Sequence, residues 1–224
     1  MQNDAWDALT VAQIAKFKAE AAAFDSEAKY NGLQAARLLR AATEENATLH
    51  SQRIYDFVTE VNEASVHHAL QKLGEWRSKS LKPITVRFST GGGDLISGMA
   101  LYDYMMLLRG EGIEVTTVGI GMVASMGATL LQAGSPRYVT QGCWGMIHEV
   151  SSFSEGKLSE IEDETRWLIR AQNSILDIMA ERSTLSKAEI KRKWKAPNGF
   201  WMNADEMVKY GFADAILTQT GDAV

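Results

Sequence analysis

Gly121-Met122-Val123-Ala124-Ser125-Met126-Gly127-Ala128 sets one serine among small residues where an apolar strand runs into a helix. Residues 115–120 are β-branched and flanked by glycine, which predicts a buried strand, and residues 126–133 read as an apolar helix halted by Gly134. Ser125 then stands at a helix N-terminus. Free backbone N–H groups and the positive end of the helix dipole stabilise an oxyanion at such a place. The same position also suits a serine that merely caps the helix.

Two further segments bear on the choice. Twenty-three residues on, Trp144-Gly145-Met146-Ile147-His148-Glu149 ends a short apolar strand in a histidine. Neutral imidazole is the usual general base for a serine hydroxyl, although a lone histidine in such a place is also a common packing or surface residue. Upstream, residues 84–89 alternate as a strand does, and Thr90-Gly91-Gly92-Gly93-Asp94 turns into a helix over residues 96–109. Successive glycines let a backbone lie against a ligand with its N–H groups turned inward, or simply make a tight turn. The loop has neither the G-x-G-x-x-G spacing nor a Gly-Lys-Ser/Thr ending, so it is no nucleotide fingerprint. Val123 stands where a G-x-S-x-G elbow requires glycine, which weighs against an α/β-hydrolase.

Composition bounds the remaining classes. The 224 residues, 46% hydrophobic, suit one α/β domain and an appendage. A net charge of −5 provides no phosphate-binding surface, so no nucleic acid partner is expected. The basic cluster over residues 187–195 reads as one solvated helix face, and Ser186-Lys187-Ala188-Glu189 before it as a capping box. One cysteine, Cys143, allows no internal disulfide and no cysteine-based zinc site, and its place before the histidine strand suggests packing. No apolar run approaches the length of a membrane span and no signal-peptide layout is present, so a cytoplasmic location is expected.

Residues 6–48 are rich in alanine, glutamate, lysine and glutamine, with no proline and one glycine, Gly32. They predict two helices broken near Asn31-Gly32 rather than a regular coiled coil, and divide the chain into an extension over residues 1–48 and a domain over 49–224. Residues 53–58 read as the domain's first strand, 65–77 as a helix and 157–182 as a long helix. His67 and His68 fall on the first of these helices with no second ligand pair at metal-binding spacing, so neither metal nor cofactor is expected.

Taken together, the glycine turn with Gly98-Met99-Ala100-Leu101-Tyr102-Asp103, the segment Ala124-Ser125-Met126-Gly127-Ala128 with Ala133-Gly134, Met146-Ile147-His148, and Tyr210-Gly211-Phe212-Ala213-Asp214 resemble the proteolytic subunits of the Clp serine peptidases over residues 53–217. The resemblance implies a crotonase-like α/β spiral of ββα units and heptameric rings stacked in pairs. It also implies cleavage of extended or unfolded peptides inside the chamber, with a separate AAA+ unfoldase as possible partner. By position, Ser125 is the nucleophile, His148 the base, and the N–H groups of Gly93 and Met126 the oxyanion hole. In that family the strand and helix after the histidine form a handle between rings. Here Glu149-Val150 and Ser151-Ser152 stand where the family commonly shows Gln-Pro and a glycine pair.

The chain departs from the family at the third catalytic residue. Gly199 occupies the aspartate's place in an ungapped comparison, and no carboxylate lies between Lys191 and Asn203. Asn198 either takes the role, orienting the imidazole through its side-chain oxygen, or belongs to a Pro197-Asn198-Gly199 turn. The departure keeps two other readings open: a phage head-maturation peptidase of the same fold, and a catalytically silent ring subunit. An acyl-CoA hydratase of the related fold leaves Ser125 and His148 without a purpose.

Overall fold

The computed structural model describes residues 52–152 and 155–218, together with Gln34. The expected N-terminal helices, their break at Asn31-Gly32 and the boundary at residue 48 lie outside the described residues. In chain order the elements are β1 (Ile54–Phe57), α1 (Glu63–Lys79), β2 (Ile84–Thr90), α2 (Leu95–Gly110), β3 (Val115–Ala124), α3 (Met126–Leu131) and β4 (Arg137–Thr140). There follow β5 (Trp144–Ile147), α4 (Leu158–Arg182), α5 (Lys187–Trp194), β6 (Phe200–Met202), α6 (Ala204–Lys209) and β7 (Ala215–Leu217).

Strands β1, β2, β3, β4 and β7 lie side by side in that order, every pair parallel. Parallel neighbours require crossover connections, and α1 and α2 supply the first two. Strand β2 shows the alternation that the sequence carries: Ile84, Val86, Phe88 and Thr90 are buried while Thr85, Arg87 and Ser89 are half-buried. The helices pack apolar faces on this sheet, with Leu73, Trp76, Leu101, Met105 and Leu130 enclosed. The arrangement is the α/β fold that the resemblance implies.

Strand β3 changes partners along its length. Thr117 to Gly119 pair with Arg137 to Val139 of β4, and Met122 to Ala124 then pair with Trp144 to Met146 of β5. The switch falls at Gly121, whose φ of +67° bends the strand between the two neighbours. Strand β6 adds antiparallel to β5 through Gly145↔Met202 and Ile147↔Phe200. Because Ala124 lies opposite Met146, the residues that follow each strand, Ser125 and His148, emerge at the same edge. A parallel bridge from Val61 to Gly93 brings the glycine turn to that edge as well. Such a convergence at the carboxyl ends of parallel strands is where α/β sheets bind ligands.

Most element boundaries fall within one or two residues of expectation, and two differ for a structural reason. Strand β3 runs on to Ala124 instead of ending at Ile120, because pairing with β5 holds extended a stretch that looks turn-like on its own. Helix α3 ends at Leu131 rather than 133, as Gln132, Ala133 and Gly134 donate to carbonyls three residues back and tighten the last turn. Elsewhere the termini carry their expected chemistry. Ser186 and Glu189 form a reciprocal capping box on α5, and Asn62 and Asn203 cap α1 and α6.

A buried polar cluster ties down the far end of α3. Gln132 Nε2 donates to Ala128 O and Phe212 O, while Arg137 Nη1 donates to Gln132 Oε1, Gly211 O and Arg182 O. Asp214 receives the Arg137 backbone N–H and its guanidinium. No helix among the described residues is long and apolar enough to cross a membrane.

Candidate active site

Ser125 sits between β3 and α3 at φ +54°, ψ −120°. A residue with a Cβ is strained there by about 1–3 kcal/mol, and such strain persists only where the surroundings impose it. They do so through the backbone: Ser125 N–H donates to Met146 O at 2.8 Å, and Ser125 O accepts the Ala128 N–H at 3.1 Å. The hydroxyl does not cap α3. Instead Ser125 Oγ lies 2.8 Å from Nε2 of His148, which leaves β5 half-buried. With neutral imidazole the hydroxyl donates to Nε2, the pairing from which a base takes the proton as the oxygen attacks.

The glycine turn is packed against this serine. At Gly92, φ +99°, a Cβ would stand 2.7 Å from Ser125 Cβ and 2.8 Å from Ala124 O, so no side chain fits. Val61 N–H donates to Gly92 O and Asp94 N–H to Val61 O, which leaves the N–H of Gly93 facing away from this bridge. Neither that N–H nor the N–H of Met126 has a hydrogen-bond partner among the described residues. Both residues border the same cavity as Ser125 and His148. Unpaired N–H groups beside a nucleophile are what an oxyanion hole requires.

The cavity, of about 380 Å³, extends past the serine under α4. Its walls include Thr129, Ile147, Leu168, Ile175, Met179 and Trp194. Trp194, at the end of α5, is 2% exposed, and its Nε1–H has no hydrogen-bond partner among the described residues.

The structure does not bring Asn198 onto His148. Asn198 is exposed in the turn before β6, its backbone carbonyl accepts the Trp201 Nε1–H at 2.9 Å, and among the described residues no hydrogen bond joins it to the imidazole. Gly199 is the residue at that spot: a Cβ there would lie 3.2 Å from His148 Cβ and 3.0 Å from Ile147 O. Cys143 is buried and desolvation pushes its thiol up to about 12, so it supplies no thiolate near neutral pH. His67 and His68 are exposed on α1, with His68 Nδ1 2.8 Å from the Tyr55 hydroxyl. Among the described residues no three His, Cys, Asp or Glu side chains cluster as metal ligands do.

Two residues of this site were not singled out by the sequence. Gly92 is one of three glycines, and nothing local marks it as the one that meets Ser125. Trp194 lies in a basic segment, and the only sign of its burial is the i, i+4 pairing with Ile190, which turns both inward. The glycine turn, the strained serine and its histidine thus form one edge. The model of the Clp protease family matches residues 40–220, most of the chain, and the chain belongs to that family of serine peptidases.

Proposed function

We propose that this protein is an endopeptidase that cleaves extended or unfolded polypeptides with a Ser125–His148 pair. The observation that carries the reading is the 2.8 Å contact between Ser125 Oγ and His148 Nε2 beside unpaired N–H groups. His148 takes the hydroxyl proton as Oγ attacks the peptide carbonyl, and the N–H groups of Gly93 and Met126 receive the oxyanion. The imidazolium then protonates the leaving amine, and water activated by the same imidazole releases the acyl group from Ser125. Substrate adds as a strand along the free edge of Gly93, held by its backbone, with side chains in pockets. No metal or cofactor enters these steps.

A fluorophosphonate probe should label the wild-type chain, and Ser125→Ala should abolish both labelling and peptide cleavage while the fold is retained, since only one half-buried hydroxyl is lost. Labelling that persists in the variant would assign the nucleophile elsewhere. A wild-type chain that neither labels nor cleaves would support the silent-subunit reading, which rests on the absence, among the described residues, of a carboxylate hydrogen-bonded to His148.

Proteins of this family generally form rings. For this chain, self-association through the first half of α4 is supported by its exposed Leu158, Trp167 and Ile169. Light scattering should report a particle several times the 24.7 kDa chain, and a stable monomer at micromolar concentration would oppose assembly. Residues 1–48 are assigned to an appendage of the 49–224 domain on their helix-prone composition, and an AAA+ unfoldase is the partner such a chamber would use.

A further inference from the structure

We infer that Gly98 of α2 sets how large a side chain this enzyme accepts immediately before the scissile bond, because it lets Met126 lie back against that helix. The inference rests on the Ser125–His148 reading, since it concerns the cavity that opens beside the attacking oxygen.

Gly98 stands inside α2, where glycine is less favourable than alanine and calls for a reason. The reason is the residue after the serine. A Cβ at Gly98 would lie 2.2 Å from Met126 Cγ, 2.8 Å from Sδ and 2.9 Å from Cε, so the outer part of that side chain rests in the space a methyl would fill. Met126 is 4% exposed, and it also lines the cavity of about 380 Å³ that Ser125 and His148 border. Its side chain thus lies between α2 and the room that a substrate side chain would enter.

A methyl at Gly98 would force either the backbone or the side chain of Met126 to move, and the backbone is the better held. A Cβ at Gly92 would stand 2.9 Å from Met126 N, one at Gly127 would stand 2.6 Å from Thr90 Cγ2, and the Ser125 N–H is tied to Met146 O. The methionine side chain, by contrast, turns about three bonds and has the cavity to turn into. It therefore swings into the pocket and leaves the Met126 N–H in place. Ile147, Leu168, Ile175 and Met179 supply apolar wall, against which side chains are sorted by size. Room for one methylene, gained or lost in such a pocket, changes discrimination by about 10–200-fold.

The test uses the full chain and fluorogenic peptides that differ only in the residue before the cleaved bond: alanine, leucine and phenylalanine. The wild type should favour leucine over alanine in kcat/KM. In Gly98→Ala the leucine-to-alanine ratio should fall by about tenfold or more, the alanine peptide being far less affected. Adding Met126→Ala to Gly98→Ala should restore the ratio, and Gly110→Ala, on the same helix with open space beside it, should leave it unchanged. Met126→Ala alone should raise the phenylalanine-to-leucine ratio, which keeps the inference open to refutation even if Gly98→Ala does not fold. These ratios are internal to each preparation, so partial loss of folded protein does not alter them and a merely structural role for Gly98 would not move them. A wild type indifferent between leucine and alanine, a ratio unchanged in Gly98→Ala, or an equal fall for all three peptides would overturn the inference while leaving the peptidase reading intact. So would a lowered ratio that the second substitution does not restore, or an unchanged phenylalanine-to-leucine ratio in Met126→Ala. Failure of the wild type to cleave any of the peptides, joined to absent fluorophosphonate labelling, would overturn both.

Discussion

The two halves of the catalytic edge are held very differently. On the serine side the backbone specifies everything: Ser125 is fixed at a positive φ by Met146 O and Ala128 N–H, and the glycine turn lies against its Cβ at a distance that admits no side chain. On the far side of His148 the chain makes a turn, exposed from Ala196 to Asn198, in which a Cβ at the half-buried Gly199 would lie 3.2 Å from His148 Cβ. Ser125, the proposed nucleophile, is thus preorganised by packing, whereas His148, the proposed base, is held by the strand it leaves and by its contact with Ser125.

Gly92→Ala should break the packed side most severely. Its Cβ would meet Ser125 Cβ at 2.7 Å, Ala124 O at 2.8 Å and Met126 N at 2.9 Å, atoms that cannot yield without moving Ser125 or the Met126 N–H. Cleavage should fall by about 100-fold or more, with fluorophosphonate labelling slowed in parallel. Activity within a fewfold of wild type would show that the turn is slack and the comparison mistaken.

The rear anchor of α3 sharpens the same point. Burial of Asp214 opposes ionisation, but the hydrogen bonds and charge of Arg137 outweigh it and hold the carboxyl below its ordinary range. A carboxyl with a depressed folded pKa stabilises the protein above its unfolded value near 4 and loses that contribution as pH falls through the folded value. Asp214→Asn should therefore cost about 1 kcal/mol at neutral pH, a discounted figure because the Asp214 side chain is 42% exposed, and should flatten the loss of stability in acid. Denaturant midpoints at pH 7 and pH 3 would measure both; identical midpoints in variant and wild type at pH 7 would mean that the cluster does not grip α3.

Which parts of this were legible beforehand follows the same division. Period-two alternation in Ile84–Thr90 and the apolar run into Ser125 are local signals, and they located the strands and the strand-to-helix junction where Ser125 sits. His148 was legible as the end of a strand, but its pairing with Ser125 depends on the register Ala124↔Met146, which no short window contains. The same holds for the contact of Gly92 with Ser125 and for Trp194, which reaches the cavity from a helix that reads as a solvated basic face. Long-range register, not propensity, decides these, and a single sequence does not display it.

The smallest expected effect is the one that separates the two sides. Were Asn198 to orient His148, its removal would delete a hydrogen bond worth about 1.5 kcal/mol and lower turnover roughly tenfold. In the structure its side chain is exposed and the hydrogen bond at this residue runs from the Trp201 indole to the backbone carbonyl, which any substitution retains. Asn198→Ala and Asn198→Asp should accordingly both turn over a small peptide within about twofold of wild type, with the same pH profile. A tenfold fall in the alanine variant, together with a gain in the aspartate variant, would show that the turn closes on the imidazole when substrate is bound and that the base is held from both sides after all.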